Sequence, residues 1–321
     1  MKNILVTGGA GFIGSHVVEI LVKKKFNVFI VDNLSTGHKR LINKNALFFK
    51  NDINQSHEIS KIIKSYAIDS IIHLAAKTNI IEAEKKPKIY FKNNVLGTSK
   101  LIKICKKFNI HNFIFSSSCA VYGNKINRVK ENSKTYPKGV YAITKLKCEK
   151  LIKKNFKKKN YAILRYFNVV GASSTRKIGQ INKADQLFKN LSLVINNKKP
   201  IFNIYGNDYD TFDGTCIRDF IHVSDLADIH FKILKKISTQ NKSVVLNCGY
   251  GRGFSVLQTM LEFKKFTKKK IEINFKKRRK GDIVEMVANV DKLRKFLNWK
   301  PKFYSLSKMV KSSIDWEKKF K

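Results

Sequence analysis

The sequence predicts an α/β fold, a doubly wound parallel sheet followed by a smaller C-terminal lobe. Three observations predict it. Short apolar runs alternate with amphipathic stretches through the first half of the 321 residues, the pattern of successive βαβ units with right-handed crossovers. Those runs are apolar throughout rather than alternating with polar residues, as strands covered on both faces require. After about Gly171 the pattern loosens, and residues 172–183 are polar and irregular.

The elements follow in order. Ile4-Leu5-Val6 carries a first strand at 3–7, and a helix follows at 13–24. Val28-Phe29-Ile30-Val31 places a second strand at 27–31, and a third is expected at 46–50. A helix at 58–66 leads to Ile71-Ile72 in a strand at 70–74. A helix at 94–108 leads to Phe113-Ile114-Phe115 in a strand at 112–116. A helix at 141–154 leads to Ala162-Ile163-Leu164 in a strand at 161–166. Further on, 218–234 reads as a strand and then a helix, and 244–248 as another strand. The chain is therefore expected to form one domain over 1–171, to return to it near 216–250, and to build its lobe from 172–321. No internal repeat or low-complexity linker interrupts it.

Bulk properties narrow the class. Hydrophobic residues make up 43% of the chain, enough for a sizeable core. No apolar run approaches the roughly 20 residues of a membrane helix, so no membrane insertion is expected. The chain passes from Met1-Lys2-Asn3 straight into a strand, without the pattern of a secretion leader. Five cysteines, an odd number at long spacings, give neither a disulfide framework nor a zinc pattern. A cytoplasmic protein without a metal is expected. The net charge of +42 has two readings. It could mark a nucleic-acid or anionic-membrane binder. It could equally be compositional drift, since Lys, Asn, Ile and Phe all have A/T-rich codons and the lysines are spread along the whole chain. The spread favours drift and no specific nucleic-acid partner, although such a field still attracts anionic substrates.

The first turn carries a cofactor signal. Thr7-Gly8-Gly9-Ala10-Gly11-Phe12-Ile13-Gly14 follows the first strand and opens the first helix. Gly8, Gly11 and Gly14 allow a tight turn and let the backbone approach a pyrophosphate at the helix N-terminus. A glycine-rich turn alone is often only a turn; its place between strand and helix makes it Rossmann-like. Asp32 ends the second strand, where a carboxylate accepts from adenosine ribose hydroxyls and repels a 2′-phosphate. That predicts NAD rather than NADP, against the alternative that Asp32 caps a loop. Asp52 and Ile53, after the third strand, could meet the adenine.

A catalytic signal lies further on. Ser116-Ser117-Ser118 closes the fifth strand, at the edge where doubly wound folds bind ligands. Tyr141 and Lys145 lie four apart and so share a helix face. A free phenol titrates near 10, too high for a base at neutral pH. A nearby ammonium and a positively charged nicotinamide would stabilise the phenolate and lower that value, and Ser118 would hold the substrate hydroxyl. YxxxK can arise by chance in a lysine-rich chain; the glycine turn and serine strand, in the correct order, single this one out.

These residues together resemble the extended short-chain dehydrogenase/reductase family, and within it the UDP-glucose (UDP-galactose) 4-epimerases. The similarity covers nearly the whole chain. TGGAGFIGSH at 7–16, VDNLSTG at 31–37, HLAA at 73–76, NNVLGT at 93–98, FSSSCAVYG at 115–123 and LRYFNVVGA at 164–172 carry it, with IYGNDYDTFDGTCIRDFIHVSDLAD at 204–228 the most specific block. The resemblance implies that Gly8, Gly11, Phe12, Ile13, Asp32, Asn33, Asp52, Ile53, Leu74, Ala75 and Asn93 line NAD. It implies that Tyr141 and Lys145 reach both the reacting centre and the nicotinamide ribose. Tyr166 and Asn168 would face nicotinamide and substrate. Gln186 falls where the family has an Asn or His on the nucleotide sugar. Arg218 and Arg279 would clamp the UDP pyrophosphate, a task suited to bidentate guanidinium, and Asp282 would hold the uridine ribose. A sugar-nucleotide-binding lobe at 172–321 and a homodimer built on the 94–108 and 141–154 helices are implied as well. There are departures. Lys77 stands one position before the lysine that some members place near Thr78. The stretch 177–190 differs from the commonest epimerases, and Met286 falls where side-chain bulk limits N-acetylated sugars.

The implied reaction is a redox-neutral inversion at C4 of UDP-glucose or UDP-galactose through a 4-keto sugar. UDP-N-acetylglucosamine and UDP-glucuronate are alternative substrates. A 4,6-dehydratase is disfavoured, because its Asp-Glu pair after the catalytic hydroxyl is Cys119-Ala120 here. A non-catalytic nucleic-acid binder is disfavoured by the intact Ser118, Tyr141 and Lys145 set.

Overall fold

A computed structural model describes residues 2–124, 128–156, 159–182, 186–268, 271–279 and 281–320. The chain divides into two compact units. Unit 1 comprises Met1–Val121, Pro137–Arg165 and Ala227–Leu246; unit 2 comprises Tyr122–Tyr136, Tyr166–Leu226 and Asn247–Lys321. The strands are β1 (Asn3–Thr7), β2 (Asn27–Val31), β3 (Leu47–Phe49), β4 (Ser70–His73), β5 (Asn112–Ser118), β6 (Arg128–Val129) and β7 (Asn160–Tyr166). They continue with β8 (Asn168–Val170), β9 (Ile201–Tyr205), β10 (Ile217–His222), β11 (Val244–Cys248), β12 (Gly253–Ser255), β13 (Glu272–Lys276) and β14 (Glu285–Ala288). Among the described residues no helix is long and apolar enough to cross a membrane.

Unit 1 is built on a seven-stranded sheet of order β11-β7-β5-β4-β1-β2-β3. The pairs β1–β2, β2–β3, β1–β4 and β4–β5 are parallel, so strand order reverses between β1 and β4. That switch point opens a crevice beyond the carboxyl ends of the two strands, where doubly wound folds take their ligands. Helices α1 (Phe12–Lys23), α2 (Ser56–Ser65), α3 (Ile80–Lys85), α4 (Pro87–Tyr90), α5 (Gly97–Lys107) and α6 (Val140–Asn155) connect the strands. The apolar stripe Ile59, Ile62, Ile63 of α2 packs with Leu101, Ile102 and Cys105 of α5 and Cys148 and Ile152 of α6 over Leu5, Phe29, Ile71, Phe113 and Ile163 of the sheet. Burying each such aliphatic side chain contributes about 1.5–3 kcal/mol, so the apolar strand runs oblige both faces of the sheet to be covered.

Two elements differ from expectation. β5 runs to Ser118, past the apolar residues that suggested it, because backbone groups rather than side chains carry strand pairing. The helix expected at 94–108 begins as a π-helical turn over Phe91–Leu96 and becomes α-helical only at Gly97. The Asn94 carbonyl accepts from Thr98 Oγ1 (2.6 Å) and Cys148 Sγ (3.3 Å), and the turn widens around it.

Unit 2 holds a five-stranded sheet, β12-β10-β14-β6 with β8 alongside β10, and a two-stranded sheet, β13-β9. Helices α7 (Leu187–Ile195), α8 (Val223–Gln240), α9 (Val256–Lys264), α10 (Asp291–Leu297) and α11 (Leu306–Lys319) follow in the chain, α8 running on into unit 1. Phe188 of α7 packs edge-on against Phe220 and Phe263 at ring distances of 4.9 and 5.3 Å. Lys189 is buried and paired with Glu317 of α11 at 2.6 Å.

Candidate active site

The glycine turn lies at the switch point of unit 1. Gly8 has φ +74, and a Cβ there would lie 2.6 Å from Ala75 N. A Cβ on Gly14 would lie 2.1 Å from the Gly8 carbonyl oxygen. Both glycines are thus required by the close approach of α1, the turn and the loop after β4. Gly11 is different. A Cβ there meets only the Gly8 oxygen, at 3.2 Å, so the N-terminus of α1 is free of side-chain cover at this point. Gly11 is the N-cap and no side chain caps the helix, which leaves its first N–H groups and dipole for an anion. Phe12 and Ile13 form the first turn and are partly buried; Leu74 and Ala75 flank Gly8, with Leu74 N on Thr7 O at 3.0 Å.

Asp32 is buried where β2 ends and accepts from Ala10 N (3.0 Å) and Leu34 N (2.8 Å). Burial raises its pKa, and those two hydrogen bonds oppose the rise. The bond to Ala10 ties the carboxylate to the glycine turn. Asn33 donates Nδ2 to Asp52 Oδ2 at 2.7 Å. Burial acts to raise the Asp52 pKa, but hydrogen bonds from Asn54 and Asn33 and the charge of Lys92 outweigh it and lower the value. Ile53 is buried, with a side chain that would meet a Cβ on Gly97. Asn93 sits in the π-helical turn and donates to Asn94 Oδ1 at 3.0 Å.

Helix α6 brings Tyr141 and Lys145 to the end of β5. Gly139 caps it with φ +83, and Glu84 Oε1 accepts from Val140 N at 2.7 Å, a carboxylate at the positive end of the helix. Ser118 at the end of β5 neighbours the Tyr141 phenol and acts to lower its pKa, and its Oγ accepts from Ala120 N at 3.2 Å. Lys145 is buried, donates to the Ser116 carbonyl at 2.7 Å, and lies 5.9 Å from the centroid of the Tyr141 ring. Burial pushes Lys145 down to about 8, against the charges of Cys148 and Glu149. Burial pushes Tyr141 up to about 12, and the neighbouring Ser118 only partly offsets it. In the protein alone desolvation dominates the phenol, whereas the expected lowering is by Lys145 together with a bound nicotinamide.

Unit 2 carries the other anticipated residues. Arg218 of β10 and Arg279 flank one carboxylate, Asp282, at 3.9 and 3.5 Å. Arg279 also stacks over Tyr205 at 4.2 Å, and Arg278 over Tyr209 at 4.3 Å. Asn168 donates Nδ2 to Asp219 O at 3.1 Å, and Tyr166 ends β7, buried. Met286 pairs with Arg218 across the sheet and is buried. Gln186 stands apart, exposed at the start of α7 and making no capping hydrogen bond with its side chain. Residues 183–185 of the divergent 177–190 stretch, and Lys280 of the basic run, lie outside the described residues.

Sequence reasoning missed three supports in unit 1. His73 is buried and bonds Thr7 Oγ1 (2.7 Å) and Thr98 Oγ1 (2.9 Å), tying β1, β4 and α5 behind the glycine turn. Asn94 bonds the backbone N and O of Lys77 at 2.9 and 3.0 Å and Thr144 Oγ1 at 3.2 Å, joining the loop after β4 to α6. Glu149 pairs with Arg165 at 2.7 Å. The HLAA and NNVLGT blocks contain the first two and were the available signal.

The model of the NAD dependent epimerase/dehydratase family matches residues 4–249. A UDP-glucose 4-epimerase of Lactobacillus helveticus is 38% identical over 98% of this chain and 97% of its own length. A UDP-glucose 4-epimerase of Stenotrophomonas maltophila, solved with bound NAD and formylated UDP-arabinopyranose, superposes with a TM-score of 0.95 at 32% identity over 99% of this chain and 98% of that one. A UDP-glucose 4-epimerase of Bifidobacterium longum in complex with NAD+ and UDP superposes with a TM-score of 0.93 at 33% identity over 99% of both chains.

Proposed function

The chain belongs to the NAD dependent epimerase/dehydratase family, and on that premise we propose that it uses NAD to interconvert UDP-glucose and UDP-galactose by inversion at C4. The observation that carries this reading is Lys145 beside the Tyr141 ring on α6 and bonded to Ser116 at the end of β5, where Ser118 lies, in the same unit as the glycine turn.

The turn fits the cofactor. Gly8 and Gly14 admit no Cβ, Gly11 leaves the N-terminus of α1 open to a pyrophosphate, and Asp32 stands where a 2′-phosphate would be repelled. Gly8, Gly11, Phe12, Ile13, Gly14, Asp32, Asn33, Asp52, Ile53, Leu74, Ala75, Asn93, Tyr141, Lys145 and Tyr166 would hold NAD. Bound there, NAD would supply the hydride acceptor for C4 and the donor that restores the hydride on the other face of the sugar.

Tyr141 takes the proton of the 4-hydroxyl and gives it back, as general base and then acid. Its pKa of about 12 in the protein alone favours a neutral phenol; the positive nicotinamide and the Lys145 ammonium favour the phenolate. Ser118 shares its hydrogen bond between the phenol and the sugar hydroxyl and so orients both. Arg218 and Arg279 bind the pyrophosphate, exchanging the long contacts to Asp282 for bidentate phosphate bonds, while Asp282 takes the uridine ribose. Asn168 and Gln186 contact the sugar nucleotide. A homodimer is part of the reading. Ile80, Ile81, Ile89 and Leu96 are exposed apolar side chains just before and within the turn that opens α5, and α5 and α6 would pair with their two-fold mates. The five cysteines are thiols outside any disulfide, which suits a reducing cytoplasm.

The test is incubation of purified protein with UDP-galactose, UDP-glucose, UDP-N-acetylglucosamine and UDP-glucuronate, with chromatographic separation of the C4 epimers. Interconversion of the first two is expected. Conversion of another pair without them overturns the substrate assignment. Denatured protein should release NAD(H); NADP as the main species overturns the role of Asp32.

A further inference from the structure

Three consecutive serines close β5; two of them bond successive turns of α6, and the third, Ser118, neighbours Tyr141 and acts to lower its pKa. The Ser116 carbonyl accepts from Lys145 Nζ at 2.7 Å. Ser117 Oγ donates to Glu149 Oε1 at 2.6 Å. Tyr141, Lys145 and Glu149 are spaced by four, so all three project from one helix face. The last contact is anchored from a second strand. Arg165 of β7, beside β5 in the sheet, donates Nε and Nη2 to the two oxygens of Glu149 at 2.9 and 2.7 Å. Glu149 is 0% exposed, and Ser117 and Arg165 are each 2% exposed.

The proposed chemistry uses none of Ser117, Glu149 or Arg165. Desolvating a bidentate ion pair this completely is costly, and such a pair gives little net stability over an apolar replacement. What it supplies is geometry, since two parallel charge-assisted bonds hold at only one separation and orientation. Advancing α6 by one residue against β5 would turn its side chains by roughly 100°, breaking both serine bonds and carrying Tyr141 away from Ser118.

We propose that Ser117, Glu149 and Arg165 form a positioning device that fixes the register of α6 on β5, keeping Tyr141 on Ser118 and Lys145 on Ser116. Glu149 has a second effect through charge. Lys145 is faced by Tyr141, Cys148 and Glu149 on its own helix and by His73 of β4, and the Glu149 carboxylate helps keep the ammonium protonated against burial. The inference rests on the reading of Ser118, Tyr141 and Lys145 as the reacting set.

The test uses the holoenzyme with Ser117→Ala, Ser117→Thr and Glu149→Gln. Ser117→Ala removes one hydrogen bond and should lower kcat on UDP-galactose on the order of tenfold, with KM and NAD affinity little changed. Ser117→Thr keeps the hydroxyl and should restore most of the rate. Glu149→Gln should lower kcat further. It should also move the alkaline limb of the kcat profile to lower pH, because Lys145 loses its proton sooner without the carboxylate. A purely structural pair would lower only the melting temperature. Wild-type kcat and an unmoved alkaline limb in Ser117→Ala and Glu149→Gln overturn the proposal, and Ser117→Ala alone decides if Glu149→Gln does not fold. A wild-type protein inactive on UDP-galactose would instead sink the functional reading. In that case amine labelling of Lys145 against pH, read by peptide mass spectrometry, decides the register proposal: an onset at lower pH in Glu149→Gln supports it, and an unchanged onset overturns it.

Discussion

In the proposed reaction Tyr141 is the residue on which the chemistry turns. Tyr141→Phe keeps the ring and removes the ionisable hydroxyl, so turnover should fall by roughly 10²–10⁴-fold, the worth of a positioned acid–base group. NAD should still bind, since the turn at Gly8 and the Asp32 carboxylate are untouched. A variant retaining more than about half the wild-type rate would mean that Tyr141 only packs its helix. Histidines give a second prediction at this scale. His16 is buried on α1, donates Nδ1 to Phe12 O at 2.8 Å, and has no partner for Nε2 among the described residues. Burial pushes it down to about 4. Its folded pKa is therefore below its unfolded value of about 6.5, and protons bind the unfolded chain in preference. The stability it contributes is fully present above pH 6.5 and is lost as pH falls toward 4. Thermal melts from pH 7 to 4 should show His16→Gln, which keeps a donor for Phe12, with a slope shallower by about one proton, or ~1.4 kcal/mol per pH unit. An identical slope in the variant would rule this out. His73, pushed down to about 3 by burial first and the Lys145 charge second, acts in the same direction. Asp219, raised to about 7 by burial, acts in the opposite one.

At the scale of the element, the glycine turn separates packing from ligand contact. Gly14→Ala would place a methyl 2.1 Å from the Gly8 oxygen, so the turn must shift. Both thermal stability and NAD affinity should drop. Gly11→Ala meets only one atom, at 3.2 Å, and should cost little stability. Its methyl would stand over the open end of α1, so NAD affinity should still fall. Calorimetric NAD titration beside thermal melts checks this, and a Gly11→Ala protein with wild-type affinity would place the pyrophosphate elsewhere. The glycine spacing and the Tyr-Lys spacing were legible in the sequence because each sits within one turn and its helix. The π-helical turn at Phe91–Leu96 was not. It depends on Thr98 and Cys148 claiming the Asn94 carbonyl, and Cys148 is 54 residues away in the chain.

For the whole molecule, the net charge of +42 sets the conditions of association. Two copies repel at long range, and exposed apolar side chains such as Ile80 and Leu96 favour contact at short range. Salt shortens the repulsion, with a screening length near 8 Å at physiological strength, and leaves apolar burial in place. The dimer fraction should rise from low to physiological salt, measured by light scattering after size exclusion. A monomer throughout would refute the proposed assembly. The same field should speed capture of anionic UDP-sugars, so kcat/KM should fall with added salt while kcat holds.

The sequence by itself determined the fold class and marked the glycine turn and the Ser118, Tyr141 and Lys145 set that the proposed reaction uses. Each rests on spacing within a short stretch, where backbone periodicity alone decides which side chains share a face. Only the tertiary structure decided what holds those side chains in place and how they titrate. His73 meets Thr7 and Thr98, and Glu149 meets Ser117 and Arg165, because the strand order puts β4 beside β1 and β7 beside β5. No local pattern encodes that order. The same holds for charge. Spacing placed an ammonium one helical turn from a phenol, but only the fold shows that burial raises the phenol in the protein alone and that Lys145 donates to Ser116. Desolvation is a property of everything packed around a group, and that is settled only when the chain has folded.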